Sequence, residues 1–155
     1  MLFIVLLLPL LLGCISFFSK KPLSRAFTAF LLAGQAVVVL LVCVAFGVGA
    51  LTTPSYSIAD TLTFALKADR FGLLFCLLAA SAWLITIPYC SVYLHHEEKV
   101  NRFYGFFFLT ETMVLGTALA ADLVTLYIFY EMTTLLSAPL VLHAQTKKAL
   151  SGASK

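Results

Sequence analysis

Five apolar runs, each about as long as a membrane is thick, constrain this chain more than any other feature. They cover residues 1–18, 26–51, 71–94, 103–120 and 122–142. A helix rising 1.5 Å per residue needs about 20 such residues to cross a hydrocarbon core of ~30 Å. The runs are continuous rather than alternating, which excludes the polar-in, apolar-out pattern of a membrane barrel. With 62% hydrophobic and 11% charged residues and a mean hydropathy of +1.04, the chain is far from the balance of a soluble domain. Lipid must be the solvent. The expected fold is an all-α membrane protein of about five transmembrane helices forming a single domain over residues 1–155, in a multi-pass location in the cell (inner) membrane.

The charged residues lie between the runs and orient them. Lys20, Lys21 and Arg25 separate the first two; Lys99 and Arg102 separate the third and fourth; Lys147, Lys148 and Lys155 follow the fifth. With five crossings these eight share one side, and only Lys67 and Arg70 fall on the other. The positive-inside rule then puts the N-terminus outside and the C-terminus inside. No basic residue precedes the first run, the reverse of a secretory signal, so it reads as a retained helix.

The connection 52–70 is the only long one. Pro54 and Ser55 open it as a turn, and residues 57–67 alternate weakly, as a short strand or an interfacial helix would. Asp69 is placed to cap the third helix and Asp122 the fifth. The fourth and fifth helices are joined by almost nothing, so they must be antiparallel neighbours. Pro9, Pro88 and Pro139 fall inside helices, which membrane bundles tolerate. Gly116 and Ala120 form a small-xxx-small pair suited to close helix packing.

Two acids stand inside apolar helices. Glu111 is ten residues before Ala121 and Glu131 ten after it. Both should therefore lie ~15 Å from the hairpin tip, near mid-membrane. Whether they face each other is left open by sequence. An ionised carboxylate at that depth costs ~2.5 kcal/mol or more. A carboxyl held neutral there takes up and releases a proton, which is what a relay requires; the bland alternative is a protonated Glu joining helices by a hydrogen bond. All ten lysines and arginines lie at helix ends or in loops. A counter-ion for Glu131 must come from another chain or from polypeptide beyond these residues.

Other candidates are weaker. His143, at the inner end of the fifth helix, either meets the helix dipole or serves as a proton exit. His95 and His96, beside Glu97 and Glu98, read as a solvated loop. Cys14, Cys43, Cys76 and Cys90 share no CxxC spacing and read as apolar fillers. The aromatics at 103–108 and Trp83, Tyr89 and Tyr93 suit an interface belt and lipid-facing packing. No phosphate loop, catalytic triad, metal spacing or nucleic-acid patch is present in the sequence. No bound cofactor and no metal are expected, and no nucleic-acid partner.

At this point the residues fit a pattern. The stretch ADRFGLLFCLLAASAWLITIPYCSVYL, followed by NRFYGFFFL, resembles the third and fourth helices of the antiporter-like subunits of respiratory complex I, membrane-bound hydrogenases and multisubunit cation/proton antiporters. The stretch ADLVTLYIFYEMTTLLSAPLVLH resembles their fifth helix, with Tyr130-Glu131-Met132 at the aromatic-glutamate-hydrophobic core. The PLVLH ending at 139–143 is most similar to the hydrogenase and cation-antiporter branch. The likeness covers residues 69–143, and the first two helices only in general character. It implies that Glu131 transfers protons, paired with a lysine on a later, broken helix. It also implies other membrane subunits as partners, protons or sodium ions as cargo, and any redox chemistry on other subunits. Glu111 is not part of the family pattern. The chain stops where a sixth helix should begin, as a truncated gene product, a split subunit or a fragment would. A small self-contained proton-coupled transporter built on Glu131, and a non-transporting assembly element or inactive truncated remnant, are the rival readings.

Overall fold

A computed structural model describes residues 2–19, 25–48, 51–52, 56–59, 62–94 and 100–141. Five helices account for nearly all of them: α1 (Leu2–Phe18), α2 (Arg25–Val48), α3 (Arg70–Tyr93), α4 (Val100–Ala118) and α5 (Leu123–Val141). The prolines sit inside α1, α3 and α5. Three spans, Ala26–Val48, Arg70–Tyr93 and Leu123–Val141, are long and apolar enough to cross a membrane.

The second helix gives way to a small β cap rather than to an interfacial helix. Strands β1 (Leu51–Thr52) and β4 (Lys67–Ala68) pair antiparallel, and inside them β2 (Tyr56–Ala59) pairs with β3 (Leu62–Phe64). The cap is fastened to the α4–α5 turn largely through backbone. Lys67 N donates to Leu119 O at 2.8 Å and Ala121 N to Ala65 O at 3.0 Å. Ala65 N donates to the Thr125 hydroxyl at 3.1 Å. The Phe64 and Phe129 rings, 5.8 Å apart, close the same junction.

Both expected caps are present. Asp69 has extended backbone, and its carboxylate accepts from Gly72 N at 2.6 Å. Asp122 accepts from Thr125 N at 2.7 Å. These amides would otherwise be orphans of a first helical turn.

The bundle is organised around α4, which packs against α1, α3 and α5, while α2 packs against α3 and α1. It is also the helix with most polar content among its buried residues: Thr110, Glu111 and Thr112 lie side by side with Tyr104, Phe108 and Leu115. Its neighbours take its share of the lipid contact, so it can carry polar groups that the outer helices cannot. Close approach fixes two of its contacts. A Cβ on Gly105 would fall 2.4 Å from the Phe17 ring of α1, and one on Gly116 would fall 2.4 Å from the Phe129 ring of α5. Trp83 of α3 donates its indole N–H to Phe107 O at 3.0 Å, a third tie. At the opposite extreme, α5 buries only Thr125 completely and exposes Leu123, Tyr127, Tyr130 and Leu135.

Candidate proton-transfer site

Glu111 is wholly buried, and the only hydrogen bond to its carboxyl among the described residues comes from α2. The Gln35 side chain, equally buried, donates from Nε2 to Glu111 Oε1. The same nitrogen donates to Ala80 O of α3 at 3.0 Å. One amide thus joins α2, α3 and α4 in a single layer. The Ala80 carbonyl fixes how that amide sits: it needs a donor, so Nε2 and not Oε1 faces it. Two acceptors of the pair, Gln35 Oε1 and Glu111 Oε2, have no partner among the described residues. Buried polar atoms are seldom left so.

One turn along α4, the Cys76 thiol of α3 approaches Leu115 O at 3.9 Å. Among the described residues no cation joins the layer. The charged residues of the described helices besides Glu111 and Glu131 are Arg25, Arg70 and Arg102, each in a first helical turn. Among the described residues no group of three His, Cys, Asp or Glu is arranged to hold a metal ion.

Glu131 stands differently. It is half-buried on the most exposed helix, its backbone carbonyl accepts from the Thr134 hydroxyl at 2.7 Å, and among the described residues no hydrogen bond reaches its carboxyl. The two acids do not meet. Gly116 marks the face of α4 against Phe129, and five residues at ~100° each put Glu111 about 140° away from it. On α5 the two-residue step from Phe129 to Glu131 is a turn of about 160° in the shorter sense. Equal depth along the hairpin therefore comes with opposed directions. The third candidate, His143, lies outside the described residues, as do His95 and His96.

Gln35 was not singled out by charge and motif. Its signal is a long amide within an otherwise apolar run, the same oddity that marks the acids, without the charge that draws attention to them.

No protein-family model matches the chain. The A1 component of a Na+/H+ antiporter from Staphylococcus aureus is 32% identical over 95 residues, which is 61% of this chain and 12% of that protein. The A component of a Na+/H+ antiporter from Alkalihalophilus pseudofirmus is 32% identical over 96 residues, again 61% and 12%. The A/B component of a probable K+/H+ antiporter from Rhizobium meliloti is 32% identical over 76 residues, 49% of this chain and 8% of that protein. The chain's homologues are A-type subunits of cation/proton antiporters. The chain spans about 12% of the length of the first two relatives and 8% of the third. Its fold is shared more widely. A chain of respiratory complex I from Thermus thermophilus superposes with a TM-score of 0.75 at 23% identity, covering 99% of this chain and 31% of that one. A chain of an archaeal membrane-bound sulfane sulfur reductase superposes with a TM-score of 0.66 at 20% identity, covering 89% and 22%. The five-helix bundle is thus a fold found within larger chains of respiratory membrane complexes.

Proposed function

We propose that the chain forms a membrane-embedded part of a proton- or cation-translocating complex, with Glu131 as its proton-transfer residue. The observation that carries this reading is the 32% identity to an A-type Na+/H+ antiporter subunit over 95 residues. The Tyr130-Glu131-Met132 core supports the choice of residue. So does its placement: a half-buried acid on the barest helix of the bundle. A carboxyl there is costly in lipid alone, and further polypeptide covering α5 would supply both shelter and the missing cation. Other membrane subunits are the partners this requires, with protons or sodium ions as cargo. The loop charges favour an N-terminus outside and a C-terminus inside.

The test is made on the complete complex in everted membrane vesicles, with a pH-sensitive dye reporting proton movement on adding sodium or potassium. Glu131→Gln keeps the shape and removes the titrating group. A loss of cation-driven proton flux of at least tenfold, with the complex still assembled, is expected. Flux equal to that of the unaltered complex would sink the proposal.

A further inference from the structure

We propose that Gln35 and Glu111 form a second proton-binding site, separate from Glu131, in which Glu111 Oε2 carries the proton and Gln35 Oε1 accepts a hydrogen bond from it. The case starts from the two orphaned atoms. Both are acceptors, both are buried, and they belong to the two groups already joined through Nε2 and Oε1. An amide and a carboxylic acid satisfy each other completely when the amide N–H donates to one acid oxygen and the acid O–H donates back to the amide oxygen. The first half of that exchange is present. The second half needs one hydrogen, and a single proton on Oε2 supplies it. That proton provides the missing donor for Gln35 Oε1 and gives Glu111 Oε2 its hydrogen-bonded role.

The alternative arrangement is poor on every count. An ionised Glu111 would leave a charge among apolar side chains and both acceptors unpaired. None of the helices that pack against α4 offers it a cation: α1 has no charged residue, α3 has only Arg70 at its first residue, and α5 has only another acid, Glu131. The remaining titratable side chains on those helices are Cys14 on α1, Cys76, Tyr89, Cys90 and Tyr93 on α3, and Tyr127 and Tyr130 on α5. None of them is positively charged in either state. On α2 the charged residue is Arg25 at its first position, ten residues before Gln35.

Gln35 is a positioning residue in this scheme. The Ala80 carbonyl holds its amide in one orientation, so Nε2 occupies Glu111 Oε1 and directs the proton to Oε2. On protonation an O–H bond forms at Oε2 and the carboxylate charge is cancelled; on release that bond breaks and the proton leaves with its charge to water.

Infrared difference spectroscopy of the intact complex, with carbon-13-labelled glutamate and exchange into heavy water, reads the site directly. At neutral pH a protonated-carboxyl C=O band sensitive to both labels is expected, absent from Glu111→Gln. Gln35→Met keeps the volume and removes both amide hydrogen bonds; it should shift that band to the higher frequency of a free acid. Gln35→Asn, which keeps the amide but shortens it, should shift it in the same direction. A band that stays in place in both Gln35 variants, or a spectrum with no protonated carboxyl assignable to Glu111, overturns the proposal. Glu131→Gln should leave the band untouched even where it abolishes flux, so failure of this site and failure of the role given to Glu131 are told apart.

Discussion

Adding one methyl group at Gly72 should unsettle the bundle, while the same change at Gly47 should not. A Cβ on Gly72 would lie 2.5 Å from Ala118 O and 2.8 Å from Asp69 Oδ1. The first atom is backbone at the end of α4 and cannot swing aside. The second is the capping oxygen of α3. Overpacking of this kind costs typically ~1–3 kcal/mol, and displacing a capping side chain adds up to ~1 kcal/mol. Against this, Ala is favoured over Gly in a helix by about 0.5–1 kcal/mol. The clash and the cap outweigh the propensity, leaving Gly72→Ala destabilised by about 1–3 kcal/mol. A Cβ on Gly47 meets nothing within 4 Å, so only the propensity remains, a gain of up to ~0.5–1 kcal/mol. Unfolding both variants by titrating dodecyl sulfate into maltoside micelles gives the comparison. The single tryptophan, Trp83, with its ring 5.4 Å from that of Phe107 and tilted by 31°, reports the core. If Gly72→Ala proves as stable as Gly47→Ala, the close approach of α3 to α4 is wrong and so is the packing built on it.

Asp69→Ala should cost about 1 kcal/mol in the same titration, the usual loss for an N-cap, by freeing Gly72 N. Thr125→Val removes the hydroxyl that accepts from Ala65 N; faster hydrogen exchange at 65–67 is expected, with α1 and α2 unaffected. The Thr125 amide holds the Asp122 carboxyl below the usual carboxylate range. Its contribution is therefore complete at pH above the ordinary carboxylate value and is lost as pH falls through the lowered one; in Asp122→Asn the acid limb of the stability profile should flatten. Cysteine-accessibility labelling of singly substituted loop positions in whole cells should find residue 20 protected and residue 67 open, the reverse of which would invert the proposed orientation.

The helix content was legible because it is one-dimensional, and the expected depth of the acids rests on the same kind of counting. Length and apolarity define a span, and a constant rise per residue converts sequence distance from Ala121 into depth. Direction is not one-dimensional. Glu111 and Glu131 share a depth by counting, yet which way each points depends on the faces fixed by Gly105 against Phe17 and Gly116 against Phe129. The first of those contacts joins residues far apart in sequence, and the second depends on how the two helices of the hairpin are rotated. Gln35 escaped for a related reason: an amide becomes conspicuous only once folding brings it to an acid 76 positions away. The β cap was half legible, since weak alternation suits a strand as well as a surface helix, and the backbone of a neighbouring turn decided between them.

The fastening of that cap has a mechanical consequence. Lys67 N to Leu119 O and Ala121 N to Ala65 O tie the strand leading into α3 to the turn joining α4 and α5. Three helices are thus clamped at one end, and any tilt of α5 must pivot there. Glu131 sits at the end of a lever ~15 Å long, so a tilt of ~10° carries it roughly 3 Å sideways at nearly constant depth. The tie converts small rotations at the capped end of the bundle into lateral steps about halfway along α5. Its two main links run from peptide to peptide and so do not depend on which side chains the cap carries, while the Thr125 hydroxyl and the Phe64–Phe129 ring pair reinforce them.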